Sequence, residues 1–330
     1  MLPARALPTH LHRLGMLAAV VLALALLPGT AWAGFTSLFV FGDSLSDAGG
    51  GNAIPLPPNE GGLLVPGPYQ GGRFSDGPVA AEYLGDNLGL SAAQQFQYAI
   101  GGARTGLDGV LPSTGLTTQV AAFALGGANP AYADGLFMVW AGANDLRDAL
   151  GTANPVATFT DIVTNLTGAV TVLYGLGARN FLLPNIPDVG LTPEVLALGP
   201  VASGQVSFLA SMLNSAIQAA YDGLEQQLLG SNLVQFDVFA AQHAVLAAAP
   251  GNGLLNTTNG CLIPVNGAPG GQSDCSVSFF VDNIHPTTQV HATLGRMMTA
   301  AVVPEPSMLL LTSTAVLGLL ATSRRRRRGN

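Results

Sequence analysis

Leu38-Phe39-Val40-Phe41-Gly42-Asp43-Ser44-Leu45-Ser46-Asp47 decides how this chain is read. The apolar run that starts at Phe35 carries two small hydroxyl residues and no charge before it ends at Phe41. Such a run suits a strand buried on both faces of a parallel sheet. It stops at Gly42-Asp43-Ser44, so the serine sits just past the strand's carboxyl end, where open α/β sheets place their ligands. A helix starting near Leu45 would aim backbone N–H groups at an oxyanion formed beside Ser44.

The pattern repeats along the chain. Phe96 to Ile100, Leu136 to Ala141, Phe181 to Leu183 and Leu233 to Phe236 read as further strands. Val79 to Leu90 reads as a helix, with Asp76 as its cap and Pro78 in its first turn. Thr117 to Leu125, Pro155 to Leu176, Val201 to Leu229 and Thr287 to Ala301 read as helices too. Residues 48–77 and 250–281 are rich in glycine, asparagine and proline and read as loops. Strands alternating with helices predict one α/β domain whose parallel sheet is covered on both faces.

Both ends of the 330-residue chain read as address labels. Arg5, His10, His12 and Arg13 precede an apolar run from Leu14 to Leu27, and Ala31-Trp32-Ala33 has the small-x-small pattern of a signal-peptidase site. Residues 1–33 are therefore expected to be a signal peptide, with a membrane anchor as the alternative. At the other end, Val303-Pro304-Glu305-Pro306 precedes an apolar segment, Ser307 to Thr322, and then Arg324 to Arg328. The apolar segment is shorter than the roughly 20 residues of a comfortable span. The order of Pro-Glu-Pro, apolar helix and basic end in residues 303–330 resembles the PEP-CTERM sorting signal of exported bacterial proteins. That resemblance implies removal by an exosortase-type processing protease; a permanent anchor is the alternative.

Between the labels, residues 34–302 suffice for one large domain. The chain has no lysine; this body holds five arginines against eighteen carboxylates, a net charge of −13. So acidic a body argues against nucleic acid and anionic membranes as partners. Absence of lysine excludes Schiff-base chemistry. Cys261 and Cys275 read as a disulfide in an exported protein, with two free thiols as the alternative.

The body has three histidines, His243, His285 and His291, without metal-like spacing, so no metal or cofactor is expected. A serine nucleophile needs a base of near-neutral pKa. His285 stands out: Asp282 lies three residues before it and Pro286 directly after. In a tight turn that carboxylate can hold the imidazole tautomer and stabilise the imidazolium. His291 falls inside the last helix and reads as a surface or packing residue. His243 has no charged neighbour in sequence. Gly102 and Asn144 stand past the ends of other strands, where a backbone N–H and a side-chain amide can serve an oxyanion.

Four blocks now stand in order: Gly42-Asp43-Ser44-Leu45, Ala99-Ile100-Gly101-Gly102-Ala103, Gly142-Ala143-Asn144-Asp145 and Asp282-Asn283-Ile284-His285-Pro286-Thr287. Together they resemble the GDSL, or SGNH, hydrolase family, and Gly72 to Gly77 with the helix after it resembles its larger lipase/esterase branch. The resemblance implies a three-layer α/β/α, flavodoxin-like fold. It implies Ser44 as nucleophile, His285 as base, Asp282 as its partner, and Ser44, Gly102 and Asn144 as oxyanion donors, with Gly101 the alternative glycine. Gln97 stands where that glycine block often has asparagine. The expected function is an exported serine ester hydrolase, secreted or held at a bacterial surface, that cleaves a small-molecule, lipid, acyl-glycerol or acylated polysaccharide ester. An acyltransferase and a non-catalytic surface or matrix protein on the same fold are the alternatives. Specificity is expected in residues 48–77, 103–116 and 250–281.

Overall fold

Buried strands alternate their side chains between two faces, and here both faces are covered. The computed structural model describes residues 34–49, 71–261 and 275–303. In β1 (Ser37–Gly42), Phe39 and Phe41 enter one core while Leu38 and Val40 enter another. In β3 (Gly135–Trp140), Phe137 and Val139 join the first core and Leu136, Met138 and Trp140 the second. Period-two alternation with apolar residues at every position is what a doubly covered strand requires.

With β2 (Gln95–Gln97), β4 (Asn180–Pro184) and β5 (Asn232–Phe236), these strands form one all-parallel sheet in the order β2-β1-β3-β4-β5. The helices α1 (Ala80–Asn87), α7 (Val238–Ala247) and α8 (Thr288–Val302) bury side chains in the second core. On the other face lie α2 (Leu116–Ala124), α4 (Phe159–Gly175) and α6 (Pro200–Glu225). The expected three-layer α/β/α arrangement is present. The chain leaves β1 for β2 on one side and returns to β3 on the other, so the strand order reverses between β1 and β3. Ligands gather outside the carboxyl ends of strands at such a point, and Ser44 and Asn144 follow β1 and β3.

The structure departs from the sequence reading in several places. No helix starts near Leu45; the N–H groups of Ser46 and Asp47 both donate to Asp43 O, each at 3.0 Å, and close a turn. β2 ends three residues early, although Tyr98 and Ile100 still donate to Val40 and Gly42 carbonyls. Two helices arise where none was expected, α3 (Ala143–Ala149) and the four-residue α5 (Pro193–Leu196). α7 was missed as well; Asp237 caps it by accepting from Ala240 N–H. The loop expected over 250–281 contains two paired parallel strands, β6 (Asn256–Gly260) and β7 (Ser278–Phe280). Cys261 and Cys275, beside these strands, form a disulfide with a Cα–Cα distance of 5.5 Å.

Asp76 is not the cap of α1. Its Oδ1 accepts from Thr288 N–H (2.7 Å) at the start of α8. Glu82 serves α1 instead: its carboxylate accepts from Val79 N–H (2.9 Å) and takes a two-pronged contact from Arg73 (2.7 and 2.6 Å). The signal-peptide reading and, beyond Val303, the sorting-signal reading lie outside the described residues. So do residues 50–70 and 262–274, parts of two of the three expected specificity segments.

Candidate active site

The turn Asp282-Asn283-Ile284-His285 is built around one carboxylate. Asp282 Oδ1 accepts from Ile284 N–H (2.7 Å) and His285 N–H (2.6 Å), which leaves Oδ2 to meet His285 Nδ1 at 2.5 Å. An aspartate that bonds the backbone two and three residues on is a side-chain-stabilised turn. Nδ1–H donating to this carboxylate leaves Nε2 as an acceptor, and Ser44 Oγ lies 2.8 Å from it. Ser44, Asp282 and His285 are all buried. Residues 241 apart in sequence thus form one chain of hydrogen bonds from hydroxyl to imidazole to carboxylate.

Neighbouring segments clamp this turn. Phe74 packs its ring 5.1 Å from the His285 ring, centroid to centroid, and Ser75 Oγ donates to Pro286 O (3.1 Å). Asp76 holds Thr288 as described. Glu194 N–H in α5 donates to Asn283 O (3.0 Å), and its side chain pairs with Arg147 at 2.7 Å. None of these contacts is visible as a sequence pattern, because the partners lie far apart in the chain.

Ser44 is positioned from β1. Gln119, wholly buried in α2, accepts from Gly42 N–H (2.9 Å) and donates to Gly42 O (2.8 Å) and Thr114 O (3.0 Å). One amide side chain therefore reproduces the pairing of a neighbouring strand two residues before the serine. Sequence reasoning missed Gln119, since a single glutamine in an apolar helix gives no signal beyond its burial.

The adjacent glycines differ in what their N–H groups do. Gly101 N–H donates to Asp47 Oδ2 at 2.8 Å. Gly102 has φ +76°, which favours glycine, and its N–H finds no acceptor among the described residues. Ser44 N–H has no acceptor among them either. Asn144, in the first turn of α3, donates one Nδ2 hydrogen to Ala103 O (2.9 Å); an amide NH₂ carries a second. Gly142 at φ +119° lets β3 turn sharply into α3 and bring Asn144 to this place. Asp145 locks the assembly by accepting from Thr105 N–H (3.1 and 3.0 Å) and Thr105 Oγ1 (2.7 Å).

Burial raises Asp43, Asp47 and Asp145 above the usual carboxylate range. Asp43 is pushed to about 7 by desolvation, partly offset by Leu45 N–H and by the charges of His285 and Arg147. Its Oδ1 accepts from Leu45 N–H (3.0 Å), and its Oδ2 has no partner among the described residues.

The other histidines lie apart from this chain of contacts. His243 Nε2 meets Asp188 Oδ2 at 2.8 Å, a charged partner that the local sequence conceals. His291 is wholly buried, not at the surface: Ala80 N–H donates to its Nδ1 (3.2 Å), and desolvation lowers its pKa to about 3.

A hydroxyl facing an oriented imidazole, with free N–H groups close by, is an arrangement for acyl transfer. Residues 38–297 match the family described as GDSL-like lipase/acylhydrolase. The chain belongs to this family. This GDSL-family chain is 24% identical to a GDSL esterase/lipase of Arabidopsis thaliana over 79% of its own length and 88% of that protein. It is 25% identical to Lipase 1 of Photorhabdus luminescens over 85% of its own length and 52% of that protein. Among solved structures it is similar to an acetyl xylan esterase, with a TM-score of 0.47 and 14% identity over 81% of this chain and all of that one. The GDSL-family chain is a serine esterase, and its reaction is ester hydrolysis.

Proposed function

We propose that the protein hydrolyses carboxylic esters through an acyl-enzyme on Ser44. His285 Nε2 takes the Ser44 proton as Oγ attacks the ester carbonyl, and Asp282 stabilises the imidazolium that forms. The oxyanion receives hydrogen bonds from Ser44 N–H, Gly102 N–H and Asn144 Nδ2. Gly101 is left out of this role because Asp47 already occupies its N–H. Collapse expels the alcohol, which takes the proton from His285. Water then attacks the acyl-enzyme with His285 again as base, releasing the acid and restoring Ser44.

The observation that carries this reading is the unbroken chain Ser44 Oγ, His285, Asp282, at 2.8 and 2.5 Å. Knock-out of such a base costs several orders of magnitude in kcat. His285→Ala is expected to abolish cleavage of p-nitrophenyl esters and fluorophosphonate labelling of Ser44, while His243→Ala keeps both. Near-normal turnover by folded His285→Ala would overturn the assignment. The water-accepting reading predicts release of free acid even with added alcohol; an ester of that alcohol as main product would make the protein an acyltransferase.

A further inference from the structure

The segment between the glycine block and α2 holds three large apolar side chains out to solvent. Leu107 is 64%, Val110 52% and Leu111 38% exposed. Nothing in the fold requires that exposure, because the segment is firmly pinned. Gly115 N–H and Thr118 Oγ1 both donate to Leu107 O (2.9 and 2.7 Å), and Thr114 Oγ1 donates to Leu111 O (2.7 Å). Asp108 Oδ1 accepts from Ser113 N–H at 2.7 Å, and Ser113 sits at φ +60°. Arg104 donates to Gly109 O and pairs with Asp148, so its charge is spent holding the loop.

The segment also touches the oxyanion glycine. Val110 N–H donates to Gly102 O at 2.9 Å, and a Cβ built on Gly102 would come within 2.9 Å of Val110 Cγ2. Val110 therefore lies over the backbone whose N–H faces the developing oxyanion. The leaving oxygen must face His285 Nε2 to collect its proton, and Phe74 covers that imidazole. The oxyanion on the same carbon faces Gly102 N–H, so the acyl substituent takes the remaining tetrahedral direction and leaves the carbon one bond from the Gly102 turn that Val110 covers.

We propose that Leu107, Val110 and Leu111 form the surface that receives the acyl chain, so that the preferred substrates are esters of medium- or long-chain acids. This rests on the hydrolase reading above. A rigid apolar surface needs no ordering when the chain arrives, so the contact area is gained at low entropic cost. Asp108 is the one acid on the loop, and Arg104 is already paired. The occupant is therefore an uncharged hydrocarbon chain.

The test compares p-nitrophenyl acetate with p-nitrophenyl octanoate on the full chain and on a Leu107→Ser, Val110→Ser, Leu111→Ser variant. The wild type is expected to favour octanoate in kcat/KM. The variant should lose at least about tenfold more in kcat/KM on octanoate than on acetate, the scale expected for several partly buried methylenes. Leu125→Ser, at a 90% exposed leucine beyond α2, serves as the surface control and should keep the wild-type ratio. Equal losses on both esters, or no loss on octanoate, would overturn the proposal. A binding readout separates it from the hydrolase reading: hexanamide titrated into Ser44→Ala protein, with and without the three serines. Weaker hexanamide binding in the triple variant supports the acyl surface even if no ester is cleaved; unchanged binding overturns it.

Discussion

At the scale of single residues, the site turns on which N–H groups remain free. Asp47 draws off Gly101, and Ala103 O takes only one of the two amide hydrogens of Asn144. The Ala103 contact aims the amide and keeps it from rotating. Removing one oxyanion donor costs about 10²–10³ in kcat. Asn144→Ala is expected to lose about that much, with KM and the circular dichroism spectrum little changed. A loss below about fivefold would reduce Asn144 to a turn residue. The two proposed catalytic partners on one turn, Asp282 and His285, are legible in sequence because a carboxylate bonding its own backbone is a local event. The duties of Asp47, Gln119 and Asp145 are not, since each bonds a residue about 40 to 77 positions away.

Among elements, α1 and α8 are joined through buried groups whose protonation is coupled to folding. His291 of α8 accepts from the first N–H of α1 and is held near a pKa of about 3, whereas an unfolded histidine titrates at 6.5. The unfolded chain therefore takes up a proton that the folded one refuses, and stability falls as pH drops from about 6.5 toward 3. Asp43, after β1, has the opposite sign. The folded chain keeps its proton up to about 7 while the unfolded chain releases it near 3.8, so stability falls as pH rises from about 4 to 7. The two slopes oppose each other in the shared window. His291→Asn keeps an acceptor for Ala80 and removes one slope; urea midpoints should then decline with pH between about 4.5 and 6.5 more than in the wild type. Asp43→Asn should rise more steeply over the same range. Midpoints that follow the wild-type pH curve in both variants would refute the burial argument.

For the whole molecule, the charge distribution separates the acidic body from its ends. The body carries a net −13, while five consecutive arginines, Arg324 to Arg328, stand in the tail. A basic run after a short apolar segment holds the cytoplasmic side of a membrane, which would leave residues 34–302 outside the cytoplasm. The proposal is that the protein is exported and cut near Pro306. Mass spectrometry of protein from its native cells reads this directly: a chain from Gly34 to near Pro306 is expected. Intact chain through Asn330, found in the membrane fraction alone, would instead mean a permanent anchor. Catalysis is expected to be independent of the tail, because Ser44, Gly102, Asn144, Asp282 and His285 all precede Val303.

Sequence alone determined what depends on short range or on periodicity. Continuous apolar runs marked the buried strands β1, β3 and β4, since a strand covered on both faces has no polar position to reveal. Their alternation with helices dictated a parallel sheet, and the four ordered blocks named the residues that meet at its carboxyl edge. Tertiary structure decided what depends on contacts between distant segments. It placed Asp76 on α8 rather than α1, gave His243 its carboxylate in Asp188 and sealed His291 from water. It also occupied the Gly101 N–H and left that of Gly102 without an acceptor among the described residues, because only the folded turn brings Asp47 within 2.8 Å of the first glycine. A hydrogen bond across many residues leaves no periodic trace; its partners are set by the packing of whole elements, which local spacing does not encode.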